Sequence, residues 1–522
     1  MKKVSFLFYL LTPAWCFSQI PEDALRFSWH PVSGTARVNA IGGTMGSLGG
    51  DITATFVNPA GLAIYHTEEA VVSMGAAFNH TSATYRDSIN SNKHISNKQV
   101  PFNLGPMGWV FSTGHKDNPK ANSAFSLALN QRINFNEKKS FAGLNNYSSF
   151  SEQFAEEFSR SGYSLSEVVA PNSGLPYTSA LAVSTGLIDT IRSNDELFIR
   201  AAPEKILDRG QALRQDYYKR TRGGMYDLAF GFAHTKDDKL LLGASMSIPF
   251  VTYSSLTRFS ETDSSANRLN GFSSFTFTDD FSLNGTGLDM KLGALYRPTE
   301  QVRLGLAFHT PSYLSFTEKR TTRLTVEAED DTGKLILREA TSLDFTNQLP
   351  GEYKYVHLTP MRVIASGAYV FRENTDVRKQ KAFISADLEY VHYRGSRYYA
   401  NNEFDTDADK EYYKALNRVI KNFYRGCFNF RFGGELKFNT IMARAGFAYY
   451  MNPYRQRDFR ADRMIFSGGL GYRHHGIFID LTYAHQTVRD AEFPYRLSDR
   501  ANTFATVRNQ GGQISLSAGV KF

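Results

Sequence analysis

The sequence predicts an all-β protein: a transmembrane antiparallel β-barrel of about 14 strands, with an N-terminal hatch and a helical extracellular insertion. Three observations predict it. Apolar residues alternate with polar or small ones in segment after segment. The connections between those segments alternate between long and short. The one long apolar run is twelve residues, 6–17, too few to cross a bilayer as a helix.

The alternation is clearest from Leu240, where Leu240, Leu242, Ala244, Met246, Ile248 and Phe250 share one face and Gly243, Ser245 and Ser247 the other. It returns at Val302, Leu304, Leu306 and Phe308, at Phe428, Phe430, Phe432, Leu436 and Phe438, and at Ile477, Ile479, Leu481 and Tyr483. The chain ends on it, with Ile514, Leu516, Ala518, Val520 and Phe522 on one face. A lipid-embedded strand needs an apolar face outward and a small or polar face inward. A soluble sandwich also alternates, so the connections decide between them. Short turns are expected at His115–Lys120, Lys236-Asp237-Asp238, Pro298-Thr299-Glu300, around Glu373–Lys379, at Asn439-Thr440 and at His474-His475. Long loops are expected near 87–97, 137–221, 258–282, 329–352, 398–424, 453–461 and 491–510. Long external loops with short periplasmic turns are the habit of outer-membrane barrels.

Lys2 and Lys3, then FLFYLLTPAWCF and Ser18, fit a secretory signal peptide over residues 1–18. Its removal leaves Cys427 alone, so no intramolecular disulfide holds the fold. The formal charge of +8 is mild for 522 residues, and no dense Lys/Arg block points to nucleic acid. Outer-membrane lipid is the expected surroundings, in a bacterium with two membranes.

Within 137–221 the period changes. Phe150, Phe154 and Phe158 recur every fourth residue and predict an amphipathic helix. Leu187, Ile188 and Ile191 suggest a second helix and Pro203–Lys219 a third, packed as a lid over the barrel mouth. The 398–424 loop is also expected to be partly helical, with Tyr412, Tyr413, Leu416 and Val419 as its stripe.

Residues 19–66 precede the first strand and read as a hatch, leaving 67–522 for the barrel. Its core, GGTMGSLGGDITATFVNPAGLA over residues 42–63, is rich in glycine and ends in Asn58-Pro59-Ala60-Gly61. Glycine permits close backbone approach, and Pro59 stiffens the bend it shares with Asn58. Such a plug is expected to make few apolar contacts and to shift at modest cost. The run resembles the hatch of the FadL family, outer-membrane transporters of long-chain fatty acids and other hydrophobic molecules, whose hatch carries an Asn-Pro-Ala signature. The resemblance extends to residues 221–250, to 287–311 with its Arg-Pro turn, and to 430–453. It includes relatives labelled hemin receptors. It implies a 14-stranded barrel plugged by its N-terminus that imports a hydrophobic small-molecule substrate, with Gly42, Gly43, Asn58, Pro59, Ala60 and Gly61 as gate. The family carries its surface groove on other loops, so fatty-acid specificity is not implied.

No Gly-x-Ser-x-Gly, His-Glu-x-x-His or Cys-x-x-Cys is present, so no catalytic residue, metal or cofactor is assigned. An enzyme is the least favoured reading; a FadL-like barrel serving as shuttle or anchor in protein secretion is the alternative to transport. Asp227, Asp289, Lys291, Arg303, Asp387, Glu389, Arg431, Glu435, Arg444 and Asp480 fall on predicted lumen faces. Charges there must be paired or wet. They read as an ionic network tying wall to hatch, some of them facing a ligand carboxylate as the functional alternative. Phe522, a terminal aromatic, is the expected contact for barrel-assembly machinery.

Overall fold

The computed structural model describes residues 23–85, 95–115, 118–171, 174–193, 196–265, 267–371, 381–401, 406–456, 459 and 461–522. The signal peptide and the turn expected around Glu373–Lys379 lie outside the described residues. The described chain forms a closed antiparallel barrel of 14 strands. In chain order the first seven are β1 (Glu69–Tyr85), β2 (Ile95–Gln99, Phe102–Leu104 and Met107–His115), β3 (Asn118–Asn134 and Glu137–Asn145), β4 (Leu213–Thr235), β5 (Leu240–Asp263), β6 (Ser274–Tyr296) and β7 (Val302–His309 and Tyr313–Glu329). The second seven are β8 (Gly351–Leu358 and Arg362–Phe371), β9 (Ala382–His392 and Arg397–Ala400), β10 (Gly426–Phe438), β11 (Ile441–Tyr450), β12 (Arg463–His474), β13 (Ile477–Glu492) and β14 (Ala505–Lys521). The barrel closes where β1 pairs β14, from Glu69↔Lys521 to Tyr85↔Ala505.

The period-2 pattern explains the two faces. Leu288, Met290 and Leu292 of β6, Phe428, Phe430 and Phe432 of β10, and Ile477, Ile479 and Leu481 of β13 are exposed on the outer face, forming an apolar belt. Their sequence neighbours point inward and are buried. At the short turns, Asp238, Asn439 and His475 take positive φ of 59°, 52° and 47°; Asp and Asn tolerate that conformation best. Several strands break at one level. β7 breaks at Pro311 and β8 at Pro360, each proline lacking the N–H a ladder needs.

Residues from Asp23 to Tyr65 run inside the barrel as short helices α1 (Asp23–Arg26), α2 (Ala36–Ala40) and α3 (Ala54–Val57) and a 3-10 turn over Pro59–Ile64. The expectation of few apolar contacts is wrong for this segment. Val38, Ile41, Met45, Leu48, Ile52, Phe56 and Leu62 are buried in one cluster with wall residues such as Val110, Leu241, Leu295 and Ile364. The cause is in the sequence: these residues alternate with the glycines and interdigitate with small inward-facing wall residues. The start of the segment also lies higher than a periplasm-facing plug would: Leu25 and Phe27 pack with Tyr355, Tyr398 and Tyr413.

The insertion departs from three helices. Its ends extend β3 and β4, pairing Glu137↔Thr221 through Asn145↔Leu213. α4 (Ser151–Ser161) forms as the Phe150/Phe154/Phe158 period predicts. Short helices α5 (Leu165–Val168) and α6 (Ser179–Ser184) follow. The second predicted helix is instead a hairpin, Ile188–Ser193 with Glu196–Ala201, whose β-branched Ile188, Thr190 and Ile191 favour strand. The third reduces to α7 (Glu204–Leu207), after which β4 begins at Leu213. In the 398–424 loop, α8 (Asp407–Phe423) buries Tyr413, Leu416 and Ile420, while Val419 faces outward.

Candidate functional site

The wall is notched with glycines where the hatch backbone touches it. A Cβ on Gly305 would lie 2.0 Å from Gly46 O, one on Gly446 2.1 Å from Gly42 N, and one on Gly433 2.2 Å from Ile41 O. Gly243 meets Ala60 N at 2.5 Å in the same way. Hydroxyls complete the seat: Ser245 Oγ donates to Thr55 O (2.7 Å), and Ser517 Oγ accepts from Ala36 N (2.7 Å). Of the predicted gate residues, Gly42 and Gly43 turn the chain with φ of 71° and 80°. Asn58 Nδ2 donates to Gly46 O (2.6 Å) and to Ala294 O of β6 (3.2 Å), and its Oδ1 accepts from Ala60 N (3.2 Å). Pro59, Ala60 and Gly61 form the buried 3-10 turn that follows.

All ten predicted lumen charges are buried. Nine of them fall into three groups rather than one network. Arg132 bridges Asp227 (2.7 Å) and Asp289 (2.6 Å), and Lys291 adds to Asp289 at 2.5 Å. Arg431 faces Asp387 and Glu389, both at 3.5 Å, and Arg362 faces Glu389 at 3.5 Å. Arg444 joins Glu435 and Asp480, both at 2.6 Å, and Arg37 of the hatch approaches Glu435 at 3.6 Å. Asp387 also accepts from Met45 N and Gly46 N at 3.1 and 3.2 Å, so the second group holds the hatch directly. Arg303, the tenth, is buried in the β7 wall. Sequence reasoning missed Arg132. The register shifts between Gln131 and Ile133, and this bulge turns Gln131 and Arg132 inward together, breaking the alternation that located the others.

Above the hatch lies a cavity of about 420 Å³, within the usual range of small-molecule sites. Its floor is the hatch segment Leu25–Gly34 and its walls come from β1, β3, β12, β13 and β14. Trp29, Phe135, Tyr253, Tyr454 and Phe493 supply aromatic surface. Four buried polar atoms on this lining have no hydrogen-bond partner: Trp29 Nε1, Arg463 Nε, Asn79 Oδ1 and Asn509 Oδ1. Burial, then the charges of Arg362 and Arg132, hold His30 at the floor well below the usual imidazole range.

One side of the cavity is a seam. β2 and β3 pair only from Met107↔Leu129 to His115↔Asn118. Over Ile95–Leu104 there is no ladder to β3 among the described residues, although β1 still pairs that stretch on its other side. Pro101 and Pro106 remove two donors, and each breaks the strand beside it. Side chains bridge instead: Gln131 Oε1 accepts from Leu104 N (2.8 Å), Asn134 Nδ2 donates to Phe102 O (2.9 Å) and Asn97 Nδ2 to Ser140 Oγ (2.8 Å). Pro101, Asn103, Leu104 and Gly105 line the cavity, while Val100 and Phe102 are exposed on the lipid side.

The external mouth is covered. Phe150, Phe154 and Phe158 of α4 bury against Phe259 of β5, Phe275 and Phe277 of β6, and Tyr495. Glu261 anchors the lid, accepting from Phe150 N (2.7 Å) and Gln215 Nε2 (2.7 Å).

No family model matches the chain, nor does any curated protein sequence. Solved structures do match in fold. A FadL homologue of Pseudomonas aeruginosa is 14% identical, with a TM-score of 0.53, over 94% of this chain and 98% of its own. The Ralstonia pickettii toluene transporter TbuX is 14% identical over 94% and 99%, with a TM-score of 0.48. The Pseudomonas putida toluene transporter TodX is 13% identical over 94% and 99%, with a TM-score of 0.47. The FadL-type barrel, matched above a TM-score of 0.5 by the first of these, is thus the fold of this chain, and its apolar belt is a lipid-facing wall.

Proposed function

We propose that this barrel transports hydrophobic small molecules across the outer membrane. The hatch, with Gly42, Gly43, Asn58, Pro59, Ala60 and Gly61, closes the periplasmic end, and ligand leaves the cavity sideways between β2 and β3. The observation that carries the reading is the cavity's contact with a strand pair that lacks its backbone ladder. A solute too apolar for a water-filled pore needs no aqueous route if the wall itself parts toward lipid. Opening the seam exchanges a few side-chain hydrogen bonds, each worth about 0.5–1.5 kcal/mol net. The wall need not break a full ladder. The chemistry asks nothing of the protein beyond binding and passage, so no enzymatic role is assigned. The FadL-type fold supports the class of solute only by analogy.

The test is uptake of a labelled hydrophobic solute by cells carrying Asn103→Cys and Asn134→Cys in a Cys427→Ser background. Asn134 Nδ2 and Asn103 Oδ1 meet at 2.5 Å, so a short bis-thiol reagent can bridge the seam at these positions. Uptake should fall severalfold on bridging and recover when the bridge is made cleavable and cut. Unchanged uptake with the seam locked overturns lateral passage. A purified barrel with an empty lumen and a stable protein partner overturns transport itself.

A further inference from the structure

The cavity lining pairs arginines with aromatic rings three times. The guanidinium carbon of Arg463 lies 4.8 Å from the ring centre of Trp29, that of Arg26 4.2 Å from Tyr253, and that of Arg496 4.4 Å from Phe493. Each pair presents a flat, polarisable surface to the space between them. Most of the other cations on the lining are neutralised nearby. Arg26 meets Asp23 at 2.5 Å, Arg132 meets Asp227 and Asp289, and Lys139 and Lys219 meet Glu492 at 3.2 and 3.0 Å.

Arg463 differs. Among the described residues no carboxylate lies within ion-pair distance of it, and its Nε is buried without an acceptor. The Trp29 indole N–H, on the ring against which Arg463 stacks, is equally without one. Two unanswered N–H donors, one of them charged, thus lie on stacked side chains that both line the cavity. A buried charge of this kind needs a counter-charge. The orphan acceptor Asn509 Oδ1 does not supply it. Arg463, Val488 and Asn509 form one row across β12, β13 and β14, so the apolar Val488 separates the donor from the acceptor. The lining carboxylates of Glu137 and Asp490 act on Arg463 only from beyond ion-pair distance, and Asp490 accepts from Ala491 N at 2.8 Å and the Tyr454 hydroxyl at 3.5 Å.

We infer that the cavity selects planar aromatic acids: the carboxylate of the ligand accepts from Arg463 and Trp29 Nε1, and its ring lies along the arginine–aromatic faces. This rests on the reading of the cavity as the transported ligand's site and names the class of ligand. A carboxylate has two oxygens and so answers both donors at once, and arginine's planar fork suits it. A neutral hydrocarbon would leave both donors unmet. A saturated acid would meet them but gain nothing from the flat faces.

The test is calorimetry on the purified full barrel in detergent, with empty micelles as blank, using 2-naphthoate, its neutral carboxamide and decanoate. Naphthoate should bind about tenfold more tightly than either comparison ligand, the range expected for one charge-assisted pair. Arg463→Gln should bring naphthoate down to the carboxamide's affinity and leave the carboxamide unchanged. Trp29→Phe keeps the ring face and deletes the donor, and should cost naphthoate a smaller part of its advantage; it decides the matter if Arg463→Gln fails to fold. Equal binding of all three ligands overturns the acid preference while leaving transport intact. Naphthoate binding untouched by both substitutions overturns the assignment to Arg463 and Trp29. If none of the three binds, the reading of the cavity as a ligand site falls with it.

Discussion

Asn58 and Gly293 meet where the hatch touches the wall: a Cβ on Gly293 would lie 1.9 Å from Asn58 Oδ1. The amide thus sits against bare β6 backbone, and its other end donates to Ala294 O. No side chain larger than hydrogen fits at Gly293 while Asn58 keeps this place. The hatch's fit therefore depends on wall glycines as much as on its own.

Gly293→Val should push the Asn58 turn off β6 and leave the belt untouched, so the barrel should still run as a folded, heat-modifiable species. Asn58→Ala with Pro59→Ala removes three hydrogen bonds and should loosen the plug by about 1–3 kcal/mol. Planar-bilayer recordings should show raised ion conductance in both variants, and more in a deletion of residues 23–60. Conductance equal to wild type in all three would remove the hatch from any gating role.

Arg444 and its two carboxylates have essentially no solvent contact. Arg444→Met leaves Glu435 with only Arg37 at 3.6 Å and Asp480 with no cation within ion-pair distance among the described residues. The expected loss is about 3–5 kcal/mol, read as a lowered urea midpoint for unfolding from detergent. A triple replacement of Arg444, Glu435 and Asp480 by apolar residues should recover most of it. A single variant as stable as wild type would show that water reaches the group.

Glu152 in the lid is pushed up to about 7 by burial, despite the Ser149 N–H bond and Arg500 beside it. Its folded value therefore lies above the unfolded value of 4.5. The sign follows: protonated Glu152 is compatible with the closed lid, and the advantage is lost as pH rises from the unfolded value through about 7. Hydrogen exchange in Ser151–Ser161, corrected for the intrinsic rate, should be severalfold faster at pH 8 than at pH 5. Glu152→Gln should abolish the difference. A wild-type lid equally protected at both values would show that the carboxylate is paired well enough to stay charged.

Phe522 stacks on Trp109, centroids 5.7 Å apart and planes 5° from parallel, and its N–H donates to Glu68 O at 3.1 Å. Deleting it removes the contact between the last strand and β2 beside the closing β1–β14 pair. Cells should then accumulate less heat-modifiable barrel, whatever machinery reads the terminus. Normal yield would mean that closure through Glu69↔Lys521 suffices.

How much of this was legible in the chain depends on the range of the interaction. Strand faces were readable because period 2 is local: Leu240 to Phe250 announces its lipid side without knowing its neighbours. The inward charges were readable for the same reason, and Arg132 was lost where a bulge interrupts the period. α4 was readable from its phenylalanines, whereas Ile188–Ser193 finds a hairpin partner in Glu196–Ala201, a pairing that its own β-branched residues favour over a helix. The sequence by itself thus determined the barrel, its belt and which side chains of each strand turn inward. Only the tertiary structure decided which charges pair, where the wall loses its ladder, and that Trp29 meets Arg463 across 434 positions of chain. Periodicity carries the direction of a side chain, but the distance between two side chains on different strands is set by barrel closure, which no local pattern encodes.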